Sequence, residues 1–417
     1  MPYTALINPQ IRLAYAECAA AMVIPLFFAA IDAALGDVRR TIVFVGPATA
    51  LLAIVHLPST VLAGGLGAIY AGLGYRRLVL ALRGSALAAS GVAFGLGMAA
   101  YFVVPAVTLL NDISPAALTD MVRSPETNFL LIANEFRTGH GALHGLLLDL
   151  SLVIPLAACL ATAPAALRAN PRSRAIVGTC LIAAVLTLPV SGFVWRYLPP
   201  LRMVQFPWRA LLVVSLLAST CVAVALPVLK TVIRRVILCS AAILAVGNFA
   251  IALRLSDGFT SAASRTQQVL QEGGGDAPEY LPADAARQGW FDVAHPGPGN
   301  VTRAAAFVSP CLRKGGETAS AEELTFDVHD CSGRLVLPQF YFPGWVAVTG
   351  TAALPVAPDP HSGLASAILG EGSRTLLLRR KMLGAEKLGA AISIVCIVLW
   401  AALAFQIVGQ RQRQHPG

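Results

Sequence analysis

Charge is what this chain has least of. Asp, Glu, Lys and Arg make up 13% of its 417 residues, against about 25% in a soluble globular protein. That shortage excludes an ordinary soluble domain of this length. The sequence has no CxxC pair and no Cys/His spacing of the zinc type, which excludes a zinc site of the common kinds. It has no compact basic domain with interleaved aromatics. The net charge of +9 therefore does not point to nucleic acid as a partner. No fixed-period repeat is present, and the one low-complexity run is the triple glycine at 273–275. The first residues lack a charged region followed by a cleavage site, so no cleaved signal peptide is expected.

Apolar residues fill the gap. They make up 56% of the chain, and the mean hydropathy is +0.68. Apolar runs cover 13–35, 41–56, 58–75, 83–110, 143–165, 174–195, 209–229, 232–253 and 387–409. A bilayer core takes about 20 residues of helix, so the runs predict an α-helical polytopic membrane protein of about nine spans. The second and third are short and read as a hairpin broken at "HLPS", His56 to Ser59, because proline removes a donor and disfavours continued helix.

Lysine and arginine alternate along the connections. The stretches 36–40, 75–83, 167–174 and 230–235 and the C-terminal tail are basic. By the positive-inside tendency these are expected in the cytoplasm. The connections 111–142, 195–208 and 254–386 are then outside, with the N-terminus outside and the C-terminus inside. This predicts a membrane domain over 1–253 with about eight helices, a periplasmic domain over 254–386, a final helix over 387–409 and a cytoplasmic tail over 410–417. In the 254–386 stretch, "ELTFDV" (323–328), "RLVLPQFYF" (334–342), "WVAVTG" (345–350) and "RTLLLRR" (374–380) read as strands between turn signals. Their spacing predicts a small all-β, sandwich-like domain, with a short helix expected at 258–272 ahead of it. Six cysteines lie in apolar runs and read as small buried hydrophobes. Cys311 and Cys331 lie in polar sequence and are expected to form a disulfide in a non-cytoplasmic compartment. A loop of that size stabilises by about 3 kcal/mol in the chain-entropy model.

One outer connection breaks the charge pattern. "RYLPPLRMVQFPWR" (196–209) carries Arg196, Arg202 and Arg209 among three prolines, beside Trp195, Tyr197 and Trp208. Guanidinium groups bind phosphate bidentately, Trp and Tyr anchor at the interface, and prolines stiffen the loop. Two readings stand side by side: a site for a lipid phosphate or pyrophosphate head group, and a re-entrant loop whose arginines meet head groups or nearby carboxylates. The 111–142 connection holds Asp112, Asp120, Glu126, Glu135, Arg137, His140 and His144. Carboxylates there are material for a general base or a divalent cation. Their spacing is not diagnostic, and a solvated loop with an interfacial helix near 127–136 is the stronger reading. Glu17 and Asp149 lie inside apolar runs, where a carboxylate costs about 2.5–3.5 kcal/mol at a helix centre. With His56 they are expected to line a cavity or to pair with a neighbour such as Arg12 or Arg196. Trp345 in "FPGW" (342–345) reads as a packing anchor. No resident cofactor is expected.

"HLPS", "GLGMAAYFVVPAV" (95–107), "MVQFPWR" (203–209), "EYLP" (279–282) and "FYFPGW" (340–345), in this order, resemble a group of bacterial multipass proteins known as 6-pyruvoyl-tetrahydropterin-synthase-related membrane proteins. These are similar in turn to YfhO-like proteins and to the GT-C glycosyltransferase superfamily. The resemblance runs from about residue 10 to 400. It implies transfer of a sugar from a polyprenyl-phosphate donor at the outer membrane face, in envelope glycan or glycoconjugate assembly. The family's outer arginine segment matches at Arg202 and Arg209. The family's catalytic carboxylate lies after its first span and has no matching position here, so no catalytic residue is carried over. The chain looks like the later portion of a longer relative. Two alternatives stay open: a non-catalytic binder of lipid-linked glycan, alone or with a partner membrane subunit, and a transporter.

Overall fold

The computed structural model describes residues 15–34, 36–113, 124–132, 142–257, 282–288, 307–314, 323–328, 332–371 and 375–414. They fall into two compact units. The first lies within 1–103, 119–259 and 389–417, and the second within 104–118 and 260–388.

The first unit is helical. Its main elements are α1 (Tyr15–Ala34), α2 (Val38–Val55, with a π turn at Thr41–Val45), α3 (Leu57–Leu73), α4 (Leu78–Met98), the first turn of α5 (Ala100–Thr108), α6 (Ala142–Ala169) and α7 (Ser173–Leu186). There follow α8 (Gly192–Tyr197), α9 (Pro199–Arg202), α10 (Leu211–Ala225) and α11 (Thr231–Asp257). Their shared core draws Phe27 and Ile31 from α1, Leu66 and Tyr70 from α3, Leu148 and Leu152 from α6, Cys180 from α7 and Leu211, Val214 and Leu217 from α10. Small residues permit the close approaches. A Cβ on Gly67 would stand 2.6 Å from the Phe27 ring.

Among the described residues six helices are long and apolar enough to cross a membrane, or seven if one bent pair counts as a single span. This replaces the nine expected. The α3 helix has 17 residues, about 26 Å of rise, short of a hydrocarbon core of about 30 Å. The expected 174–195 span is broken, with Ser173–Leu186 and Pro189–Tyr197 meeting at 88°. Proline at 189 begins a 3-10 turn and cannot continue the ladder behind it. The expected 232–253 span lies in α11, which is not among the six, and part of it lies outside the residues whose side chains are described. The final helix α12 (Gly384–Gln414) carries a span over Gly384–Ile407 that is 11% buried. Of the expected interfacial helix near 127–136 the described part, 127–132, is not helical: a 3-10 turn ends at Thr127 and residues 128–132 are irregular, and 133–136 lie outside the described residues.

The break between α4 and α5 is met from α12. The Tyr101 N–H, freed at the start of α5, donates to Ser393 Oγ at 2.9 Å. A donor left unmet in an apolar medium would cost several kcal/mol, on the order of 2–7.

The second unit is built on β1 (Leu312–Lys314), β2 (Glu323–Val328), β3 (Gly333–Phe340), β4 (Trp345–Thr349), β5 (Ala352–Pro358), β6 (Leu364–Leu369) and β7 (Thr375–Arg380). These make one antiparallel sheet in the order β1-β2-β7-β4-β5-β6-β3: the antiparallel β-unit expected is there, as a half-barrel where a sandwich-like form was expected. One core joins Phe326 and Val328 of β2 to Leu335 and Leu337 of β3. A flat sheet would hold those strands about 24 Å apart, at about 4.8 Å per strand, so the sheet must curl. β5 shows how. Ala352–Pro355 pairs with β4, and Val356–Pro358 pairs with β6. Each half has its own partner, so the strand turns a corner and tolerates two prolines that a flat central strand would not. Trp345 packs on this core. Cys311 is disulfide-bonded, and Cys331 lies outside the described residues, as does the expected helix at 258–272.

Tyr341 follows β3. Its phenol is pushed above the ordinary range by burial first, and then by the charges of Asp112 and Asp284. The folded chain thus keeps this proton longer than the unfolded chain does. The stability it contributes is present below about pH 10 and is lost as pH rises beyond it. Tyr341→Phe should flatten the alkaline fall in melting temperature between about pH 9 and 11. Parallel curves for variant and wild type would refute the linkage.

Candidate functional site

The segment 196–209 is shaped by its prolines. Leu198 and Phe206, each before a proline, are extended, as the clash with the proline ring demands. Pro199 opens α9, and Pro207 opens a 3-10 turn over Pro207–Ala210, the place where a missing N–H costs nothing. Between them Phe206 N–H closes on the Val204 carbonyl at 2.8 Å, which holds Gln205 at φ +66°. A left-handed non-glycine costs on the order of 1–3 kcal/mol, and such strain gathers at functional segments.

The three arginines separate. Arg209 is buried, 8% exposed. Its Nε donates to Glu17 Oε2 at 3.4 Å, and Nη1 donates to the Val204 carbonyl at 2.5 Å. Its guanidinium lies 4.9 Å from the centre of the Phe206 ring, which stacks on Trp208 at 4.8 Å. Glu17 is 1% exposed and sits in the first turn of α1, where a negative charge is favoured by the helix dipole. Arg196 and Arg202 are exposed. Arg202 Nη2 donates to the Arg196 carbonyl at 2.6 Å, which ties the end of α9 to the end of α8. Tyr197 is exposed, whereas Trp195 is fully buried and donates its Nε1–H to the Leu186 carbonyl at 3.0 Å.

The other expected residues take local roles. His56 caps α3: its Nδ1 accepts from the Ser59 N–H at 3.3 Å and lies 2.7 Å from Ser59 Oγ. Asp149 of α6 accepts from the Leu131 N–H at 3.0 Å, and Leu131 is itself left-handed at φ +59°. Phe129 packs with Trp195, Leu201, Val204 and Leu62, so the 124–132 segment and the arginine segment share one small core. Glu135 and Arg12 lie outside the described residues. Among the described residues no group of three His, Cys, Asp or Glu converges as a metal site would.

A second constellation went unnoticed in the sequence. Tyr70 OH donates to Asp32 Oδ2 at 2.9 Å, and Arg172 Nη1 lies 3.9 Å from Asp32 Oδ1. They line a cavity of about 200 Å³ with Gly74, Tyr75 and Ala175. Asp32 lies fifteen positions beyond Glu17 in α1, about 22 Å along the helix. Arg172 and Arg209 therefore mark opposite ends of the helical unit. An acidic residue in the last turn of an apolar run, opposite basic loops, was the available signal.

The helices and the sheet define a class: a membrane-type multipass helical protein with an antiparallel β-unit. Compared with known proteins, the chain matches no protein-family model, no curated protein and no solved structure.

Proposed function

We propose that this chain binds the phosphate of a polyprenyl-phosphate-linked sugar through Arg196 and Arg202, in envelope glycan or glycoconjugate assembly. The carrying observation is the arginine segment itself. Two exposed guanidinium groups stand on a proline-started scaffold whose third arginine is locked to Glu17. Arg209 then holds the site in shape and does not touch the phosphate. The proposed setting is a bacterial inner membrane, with this segment on the outer face, the N-terminus outside and the C-terminus inside. The gathering of basic connections at the Asp32 end of the helical unit supports that sidedness.

Sugar transfer of the GT-C kind, which the chain resembles, would use the same lipid-phosphate site, the arginines stabilising charge on the leaving phosphate. It also needs a general base. The two described carboxylates nearest in role are committed, Glu17 to Arg209 and Asp149 to the Leu131 N–H. Binding is therefore placed ahead of catalysis in this chain, with a partner membrane subunit as the source of a base.

The test is binding of a polyprenyl-phosphate analogue to the purified protein in nanodiscs. Arg202→Ala and Arg196→Ala should each weaken it by at least about tenfold, the worth of a charge-assisted hydrogen bond. Unchanged affinity in both variants rejects the proposal.

A further inference from the structure

The opposite end of the helical unit holds a cleft of about 560 Å³, within the usual size range of small-ligand sites, about 300–1,000 Å³. Three stretches far apart in sequence form it. Arg39 and Arg40 come from the start of α2, Arg83 from α4, and Ile407 and Gln410 from the end of α12. All three arginines and Gln410 are exposed. One carboxylate, Asp37, lines the cleft. It accepts the Arg39 and Arg40 backbone N–H groups at 2.8 and 3.2 Å and lies 3.7 Å from Arg40 Nε. Arg39 and Arg83 meet no carboxylate among the described residues. The cleft thus keeps two positive charges over, with a side-chain amide beside them. Exposed apolar surface continues from it toward the membrane centre: Phe44, one turn beyond Arg40 on α2, is 38% exposed, and Phe405, two residues before Ile407 on α12, is 81%.

We propose that this cleft is a binding site for a phosphate-bearing anionic amphiphile, an anionic phospholipid of the surrounding leaflet. Arg39 and Arg83 hold the phosphate from two sides, Gln410 donates to it, and the acyl chains lie along the exposed apolar surface of α2 and α12. Guanidinium suits such a ligand because it is weakly hydrated and presents a planar fork to phosphate oxygens. Basic pockets between membrane helices bind anionic head groups on the same physical grounds. The apolar flank favours a lipid over free phosphate, since only a lipid covers Phe44 and Phe405. Because α12 supplies one wall, occupancy also fastens the last helix, which is otherwise the least buried of the candidate spans.

The full chain in detergent is titrated with short-chain phosphatidylglycerol, with short-chain phosphatidylcholine and with inorganic phosphate, and melting temperature and affinity are read. Phosphatidylglycerol should bind and raise the melting temperature, less so at high salt. Phosphatidylcholine and inorganic phosphate should bind at least tenfold more weakly. The double variant Arg39→Gln/Arg83→Gln should lose at least tenfold in phosphatidylglycerol affinity. Those arginines also bear on membrane orientation, so Gln410→Glu serves as the second variant. It leaves every arginine in place, sets a carboxylate in the cleft and should weaken binding by a similar factor. Wild-type affinity in Gln410→Glu and in the double variant overturns the site. Inorganic phosphate binding as tightly as the lipid overturns the lipid assignment.

Discussion

Arg209→Met should destabilise the helical unit by about 3–5 kcal/mol, the cost of breaking a buried ion pair by removing one of its members. Glu17 has almost no access to solvent, and the guanidinium of Arg209 lies against its carboxylate. The same substitution removes the donor to the Val204 carbonyl and the contact with Phe206, so the turn at Gln205 loosens as well. Glu17→Leu alone should be similarly harmful, because it strands the cation. The double variant Glu17→Leu/Arg209→Met should recover most of the loss, since a buried ion pair exchanged for apolar side chains of similar volume is often neutral. Denaturant unfolding of the purified protein in bicelles measures all three. A neutral Arg209→Met would show that the pair bears none of the segment's stability. A double variant no better than the singles would show that the segment needs the charges themselves.

Gly389→Val should lower stability by about 3 kcal/mol, the upper part of the range for overpacking. A Cβ at 389 would overlap the Ala100 carbonyl oxygen and stand 2.9 Å from the Tyr101 Cα. These are backbone atoms at the start of α5, so no side chain can swing aside. Moving α12 away also parts Ser393 from the Tyr101 N–H and the Trp400 Nε1–H from the Val43 carbonyl at 3.1 Å. Small residues at helix contacts in membranes serve this purpose of close backbone approach. A heating scan should show the loss. Gly384→Val, where a Cβ would meet nothing within 4 Å, is the matched control. Equal melting temperatures for the two variants would remove the packing argument.

The helical character of most of the chain was legible residue by residue. Runs such as 13–35 and 209–229 are apolar over a membrane's thickness, and helix is what such a run forms when its backbone must satisfy itself. The span count was less legible. Hydropathy adds up residues without regard to direction, and at Pro189 the chain turns through 88° inside one apolar run. The strands β2, β3, β4 and β7 were visible through their β-branched and aromatic residues. β5 and β6 were not, because prolines 355 and 358 and the Ala/Ser content of "LASAIL" carry weak strand propensity. Their pairing comes from neighbours in the sheet.

The candidate site divides in the same way. That Arg196, Arg202 and Arg209 stand out, and that Glu17 needs a partner, followed from the sequence, because a charge among apolar residues is conspicuous wherever it occurs. Which arginine answers Glu17 did not follow. The partner lies 192 positions away, and only the packing of α1 against the turn that leads into α10 brings Arg209, and not the exposed Arg196, to it. Composition and local order set what each segment is, because burial and backbone hydrogen bonding act within a few residues. Which charges meet, which carboxylate is committed and which basic loops share a cleft are decided by contacts between distant segments, and those exist only once the helices have packed.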